Sequence, residues 1–316
     1  MTSGKVNHYL IIVNPNAGRR KGEKDWDTIS SLLQKAGFTY KALFTKAPRH
    51  AIDIAVSHIE NGYHRIIVVG GDGTMNEVVN GIFHQKRFLT SDISLGMITV
   101  GTGNDWGRMF NIPRGYAEAI ATIQQNNSFI QDAGVVNYYH GKNQRSRYFV
   151  NIAGIGFDAL VVNKTNKIKM SGKRVPWAYL KSIITSLMKY RHTNTKIRID
   201  DHEIKNDTFN ISIGICKYNG GGMMQLPGAI ADDGLFDITV INKIKKYDVI
   251  LNLRKLYNGK IVNHPKVKTY KGKTILIDSM PLIHLETDGE SLGHSPFTFN
   301  IIPRSIKVLV GMPSLH

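Results

Sequence analysis

The rhythm of hydrophobic positions changes part-way along the chain. Tyr9–Val13 is an unbroken apolar run rich in β-branched residues, followed by the turn-forming Asn14–Gly18. Trp26, Ile29, Leu32 and Leu33 recur at helical spacing within Trp26–Ala36, and Gly37 is placed to end that helix. Tyr40–Phe44 predicts a strand, Ala51–Glu60 a helix, Arg65–Val69 a strand, Thr74–Phe83 a helix and Ser94–Val100 another strand. Arg65–Val69 shows no polar alternation, the pattern of a strand covered on both faces. Strands alternating with helices predict an α/β domain built on a doubly wound parallel sheet, over residues 1–125.

After Gln125 the helices thin out. Phe129–Val136, Tyr148–Ala153, Thr195–Ile199, Phe209–Cys216, Leu235–Ile241, Lys273–Ile277, His284–Thr287, Thr298–Ile302 and Ile306–Val310 all read as strands. Only Val175–Tyr190 and Lys246–Tyr257 interrupt them with helical spacing. Residues 126–316 therefore predict a second, mostly antiparallel β-rich domain, entered through the short polar stretch Gln124–Asn127.

Composition narrows the picture. Of 316 residues 42% are hydrophobic and 21% charged, so the chain can build real cores. No apolar run approaches the roughly 20 residues of a membrane span. Met1–Asn7 is polar and lacks the pattern of a signal peptide. The single Cys216 excludes an intrachain disulfide and fits a reducing cytoplasm. The net charge of +17 favours anionic partners, whether phosphate-rich ligands, nucleic acid or an acidic membrane face. No helix-turn-helix, zinc or RNP-like pattern accompanies that charge, so nucleic acid is not expected as a partner. The stripe Leu180, Ile183, Ile184 and Leu187, with Lys181, Lys189 and Arg191 nearby, fits either an interfacial helix or ordinary core contact.

Three loops at predicted strand ends carry the chemistry: Asn14-Pro15-Asn16-Ala17-Gly18, Gly70-Gly71-Asp72-Gly73-Thr74 and Gly101-Thr102-Gly103-Asn104-Asp105. In open parallel sheets ligands bind at the carboxyl ends of strands. Glycines there allow close backbone approach to phosphate, and the helix beginning near Thr74 would aim free amides at it. Asp72 and Asp105 would repel phosphate unless a Mg²⁺ lay between. No GxxxxGK[ST] occurs, and Gly101–Gly107 does not match GxGxxG, which excludes the P-loop and disfavours a dinucleotide fold.

Val69–Gly81 (VGGDGTMNEVVNG) resembles the glycine-rich loop of the diacylglycerol kinase catalytic domain, a family related to the sphingosine kinases. Gly101–Arg108, Asn14–Gly18, Asp132 in QDAGVVN, Asn151–Asp158, Asp232–Asp237 and Asp288-Gly289-Glu290 resemble further blocks of that family, in its order and across nearly the whole chain. Trp106 and Gly107 depart from its usual Phe and Ala.

The resemblance implies the fold shared by diacylglycerol kinases and NAD kinases, and a Mg²⁺-dependent transfer from ATP to a lipid hydroxyl. ATP would be held by Asn14, Pro15, Asn16, Ala17, Gly18, Thr45, Gly71, Asp72, Gly73, Thr74, Glu77, Thr102 and Asn104. Asp72, Asp105 and Asp132 would organise the catalytic Mg²⁺, and Asp288, supported by Glu290, would be the general base. Asp233 and the carbonyls of Ile230 and Leu235 would hold a second Mg²⁺, with Asp232 able to join. Read alone, Asp288-Gly289 also fits a plain hairpin turn. Diacylglycerol is the expected acceptor. A sphingoid lipid, phosphatidylglycerol or a soluble acceptor such as NAD are alternatives. Peripheral contact with an anionic membrane is expected, and a homodimer is left open.

Overall fold

The computed structural model describes residues 8–101, 103–170 and 184–311, and falls into two units. The first comprises residues up to Ala133 together with those from Pro303 onward; the second is Gly134–Ile302.

In the first unit, β1 (Tyr9–Val13), β2 (Tyr40–Phe44), β3 (Arg65–Gly70) and β4 (Ser94–Thr99) form a parallel sheet in the order β2-β1-β3-β4. Its partners in register include Val13 with Val69 and Gly70 with Thr99. Because side chains alternate along a strand, each strand dresses both faces. Ile11, Val13, Ile67 and Val69 meet Ile29 and Leu33 of α2 (Trp26–Lys35) and Ile120 and Ile123 of α6 (Tyr116–Gln125). On the other face lie α3 (His50–Glu60) and α4 (Asp72–His84), which cross at Gly81. A Cβ there would sit 2.6 Å from the Ala55 Cβ. Two further α-helices of this unit are α1 (Ala17–Lys24) and α5 (Asp105–Met109). In β3 every residue after Arg65 is buried, as its missing polar alternation predicts.

The second unit is antiparallel. Its strands include β5 (Ser128–His140, from Gly134), β6 (Asn143–Phe149), β7 (Ile152–Gly156), β8 (Thr193–Ile199) and β9 (His202–Gly214). The short pair β10 (Tyr218–Asn219) and β11 (Met223–Met224) follows. β12 (Phe236–Asn242), β13 (Val267–Gly272), β14 (Thr274–Met280), β15 (His284–Thr287) and β16 (Glu290–Leu309, to Ile302) complete it. Phe149, Phe236, Phe297 and Phe299 stack and cross edge-on in its core, with ring centroids of Phe149 and Phe236 at 5.8 Å.

Several expectations are corrected. The last predicted strand does not belong wholly to the second domain. Thr298–Ile302 and all of Ile306–Val310 but its last residue fall within one strand, β16, whose end pairs in parallel with β4 at Lys307–Ser94 and Val308–Leu95. The first unit therefore ends at Ala133 rather than 125 and reclaims residues from Pro303. Tyr148–Ala153 divides between β6 and β7, because the amides at 150–152 turn towards a carboxylate described below. Lys246–Tyr257 is two short helices, Lys246–Leu251 and Leu253–Tyr257. Within Val175–Tyr190, residues 175–183 lie outside the described residues, and 184–189 are helical.

Candidate active site

The three glycine loops of the first unit converge. Gly18 has φ of +60°, and a Cβ there would overlap the Val100 carbonyl oxygen, so only glycine brings the first loop against the third. A Cβ on Gly101 would lie 2.9 Å from Gly71 Cα, which sets the second and third loops backbone to backbone. The Asn14 amide donates to Thr74 Oγ1 at 2.9 Å and ties the first loop to the second, while its carbonyl oxygen accepts the Asn16 N–H at 3.0 Å across Pro15. Arg19 and Arg20 continue the left-handed backbone of Gly18 at φ of 64° and 66°, a conformation costing roughly 1–2 kcal/mol per residue. The family blocks gave no sign of this strain, because it falls on the two residues after the glycine.

Gly71 caps α4 in extended conformation, so the helix starts at Asp72 with Gly73 and Thr74 in its first turn. Free amides at such a start suit a phosphate. Thr45 follows β2 and donates its N–H to the Val13 carbonyl at 2.8 Å. Glu77, expected to touch ATP, accepts the N–H groups of Arg49 at 2.8 Å and Ala51 at 3.2 Å through its two oxygens. It caps α3 and positions the loop after Thr45. Thr102 lies outside the described residues.

Asp72 and Asp105 are brought together. The Asp72 carboxylate accepts the N–H of Asp105 and of Trp106, both at 3.2 Å, and so caps α5. Asn104 enters that helix at φ of 53° and donates to the Gly101 carbonyl at 3.0 Å. A Cβ on Gly103 would lie 3.1 Å from Asp72 Oδ2 and 3.6 Å from Asp105 Oδ2, so both carboxylates border one position. Asp132 is fully buried and accepts the Arg304 N–H at 2.7 Å. Its neighbour Gln131 accepts the Trp106 indole N–H at 2.9 Å. Among the described residues no three His, Cys, Asp or Glu side chains are grouped to hold an ion unaided. Two adjacent carboxylates beside a phosphate cradle nevertheless suit Mg²⁺, which takes one or two carboxylates and shares phosphate oxygens and waters.

In the second unit, Asp288 and Gly289 form the two-residue turn between β15 and β16, at φ of 49° and 84°. Positive φ at both positions is what such a hairpin demands, so the plain-turn reading of Asp-Gly holds for the backbone. The side chain does more. Asp288 is 5% exposed, and its carboxylate accepts N–H groups from Val150, Asn151 and Ile152 at 3.1, 3.1 and 3.2 Å. Glu290 Oε2 accepts from Arg147 at 2.7 Å, a pair whose arginine is buried.

Behind the turn lies Glu286, which the sequence reading missed. It is completely buried and accepts the Gly289 N–H at 2.9 Å and the Asn219 amide at 3.0 Å. Burial, reinforced by Asp158, pushes its carboxyl up to about 8. Asp158 is raised too, chiefly by desolvation, against hydrogen bonds from Asn210 at 2.7 Å and Gln225 at 2.9 Å. Gly154, paired with Glu286 across β7 and β15, makes the room: a Cβ there would lie 2.6 Å from Glu286 Oε1. The sequence carries no local signal for Glu286, since it is strand pairing that sets Gly154 opposite it.

At the expected second Mg²⁺ position a lysine stands among the aspartates. Asp233 Oδ1 accepts the Leu235 N–H at 3.1 Å, and Oδ2 takes the Lys271 ammonium at 2.9 Å. Lys271 also reaches Asp237 at 3.2 Å, its partner across β12 and β13. Ile230 is 52% exposed. A metal bound by Asp233 with Ile230 and Leu235 would have to displace an ammonium already held by two carboxylates. The strand that delivers Lys271, Val267–Gly272, is not among the strands expected from the sequence.

A chain with a glycine-loop parallel sheet carrying paired aspartates in one unit, and an antiparallel unit bearing an acidic hairpin turn, has the fold of lipid and NAD kinases. Residues 8–136 match the diacylglycerol kinase catalytic domain, and 151–310 match the YegS C-terminal NAD kinase beta sandwich-like domain. A diacylglycerol kinase of Staphylococcus saprophyticus is 30% identical over 94% of this chain and 93% of its own length. The crystal structure of a diacylglycerol kinase from Bacillus anthracis str. Sterne aligns with a TM-score of 0.71 at 23% identity, over 97% of this chain and 98% of that one. Yeast NADH kinase shares the fold at a TM-score of 0.55 and 12% identity, over 96% and 84%. The chain belongs to the diacylglycerol kinase family and is a phosphotransferase acting on an alcohol group.

Proposed function

We propose that this chain transfers the γ-phosphate of ATP to the hydroxyl of diacylglycerol, giving phosphatidic acid, and does so with Mg²⁺. The observation that carries the reading is the convergence of Gly18, Gly71 and Gly101 around Asp72 and Asp105. Phosphoryl transfer depends on positioning and charge neutralisation more than on covalent help. The backbone of the three loops and the start of α4 would hold the triphosphate. Asp72 and Asp105 would hold Mg²⁺, which neutralises phosphate charge when bound. Glu77 would keep the Thr45 loop in place for the nucleotide.

Asp288 would accept the hydroxyl proton of the acceptor. Its three amide donors fix the carboxylate's orientation, and Glu286 fixes the turn that carries it. Glu290, paired with Arg147, would support the acceptor side. An acceptor embedded in a bilayer implies a peripheral enzyme working at an anionic membrane face in the cytoplasm. No helix among the described residues is long and apolar enough to cross a membrane.

The test is an acceptor panel. Labelled ATP is supplied with Mg²⁺ and, separately, diacylglycerol, sphingosine, phosphatidylglycerol and NAD. Label in diacylglycerol above the other acceptors supports the reading. Label in NAD alone overturns it.

A further inference from the structure

We infer that the segment Lys243–Lys268 is a docking face for anionic lipid, an inference that rests on the lipid-acceptor reading and gives it a surface. Two independent features coincide there. The first is apolar exposure: Tyr247, Ile250, Leu251, Leu253 and Tyr257 are 56%, 47%, 74%, 42% and 57% exposed within eleven residues. Single exposed apolar side chains are ordinary, whereas a contiguous group marks an interaction site. The helix Lys246–Leu251 already spends Val249 on the core formed by Phe157, Leu187 and Phe209. Its outward side would normally be polar, yet it is built from Tyr247, Ile250 and Leu251.

The second feature is charge. Between Lys243 and Lys268 stand eight Lys or Arg residues and one acid, Asp248. Lys245 lies over the Tyr247 ring at 5.6 Å, so cation and aromatic share one surface. The patch extends sideways within the same unit. Lys246 donates to the Met188 carbonyl, and His192 meets the Ile244 backbone, which brings up Ile184 and Met188, themselves 44% and 58% exposed.

Charge selects the occupant. A second copy docked by two-fold symmetry would set this cation-rich face against itself. A nucleic-acid backbone would satisfy the cations but leave Ile250, Leu251 and Leu253 without an apolar partner. A bilayer rich in anionic headgroups satisfies both: aromatic and aliphatic side chains enter the headgroup boundary while Lys and Arg meet the surface potential. Each such cation near the surface multiplies partition by roughly fivefold at low salt.

The test uses the full chain, the exposed variants Leu251→Glu and Arg254→Glu/Lys255→Glu, and sedimentation with vesicles of phosphatidylcholine with or without phosphatidylglycerol. The wild type should bind the anionic vesicles at least tenfold better than the neutral ones, and added salt should weaken that binding. Leu251→Glu and the double charge reversal should each lower it about tenfold or more, with melting temperature unchanged. Phosphorylation of a dispersed short-chain diacylglycerol should be unaffected in all three proteins. Equal binding to neutral vesicles, or variants that bind like wild type, overturns the inference. So does a wild-type dimer that Leu251→Glu converts to monomer, or single-stranded RNA that binds more tightly than anionic vesicles. Vesicle binding through this face without phosphorylation of any lipid would leave the surface standing and remove the acceptor reading. Phosphorylation of dispersed diacylglycerol without vesicle binding would do the reverse.

Discussion

Asp288 and Asn151 stand 137 positions apart, yet the Asn151 N–H donates to the Asp288 carboxylate at 3.1 Å. With Val150 and Ile152 it forms a clamp of three amides on one side chain. The expected base is therefore also a structural acceptor that keeps the chain open between β6 and β7. Asp288→Ala should leave three buried donors unpaired and cost about 1–3 kcal/mol per unsatisfied group at most. Asp288→Asn keeps the shape and one acceptor oxygen. We expect Asp288→Asn to lower kcat/KM by about 10²–10⁴-fold while its melting temperature falls less than that of Asp288→Ala. Near-normal activity in Asp288→Asn would remove the base assignment.

Glu286 makes the stability of the second unit depend on pH. Its carboxyl ordinarily titrates near 4.5 and is pushed up to about 8 in the fold. Below 4.5 the group is protonated whether folded or unfolded, and its contribution is intact. As pH rises from 4.5 to about 8, the unfolded chain releases the proton while the folded one keeps it. Stability must fall across that window, by at most about 1.4 kcal/mol per pH unit. Urea unfolding of wild type and Glu286→Gln at several pH values checks this. The variant should show a flatter profile and gain relative to wild type above pH 7; parallel profiles would contradict the assignment.

Glu77 holds the start of α3, and through it would act on nucleotide binding. Glu77→Ala removes both acceptors for Arg49 and Ala51 and should cost about 1 kcal/mol, as loss of a helix cap does. A few degrees of melting temperature and a raised KM for ATP should appear together, with kcat less affected. Glu77→Gln, which retains one oxygen, should fall between. A normal KM for ATP in Glu77→Ala would show that the loop after Thr45 does not need this support.

We expect the Lys271 ammonium to take the place of a second ion between Asp233 and Asp237. Burial alone would lower its pKa, but hydrogen bonds to Asp233 and Asp237 outweigh it and the shift is upward. Without nucleotide, chelator should not move the melting temperature of the wild type. Lys271→Met should lose about 1 kcal/mol, since the pair is partly screened by solvent, and should regain it with added Mg²⁺. A wild-type transition that drops on chelation would contradict this.

The parallel sheet was legible almost residue by residue, because unbroken β-branched runs in Tyr9–Val13 and Arg65–Gly70 leave little choice between helix and strand. The glycine loops were legible because their chemistry is local. What was lost depends on distant partners. Helix α7 (Phe157–Met170) shows no apolar stripe in its sequence, so periodicity could not find it. Glu286 is identifiable only once Gly154 lies opposite it. Lys271 became the counter-charge of Asp233 through a strand pairing that the run of lysines concealed. The return of residues from Pro303 to the first unit is a property of parallel pairing with β4, for which Ile306–Val310 carries no mark.

The most direct measurement is formation of labelled phosphatidic acid from γ-labelled ATP and diacylglycerol in mixed micelles with Mg²⁺, comparing wild type with Asp72→Asn. The account predicts product with the wild type and a loss of at least a hundredfold in the variant, whose fold and melting temperature stay close to normal. No phosphatidic acid from a folded, ATP-binding wild type, or undiminished product from Asp72→Asn, would contradict it.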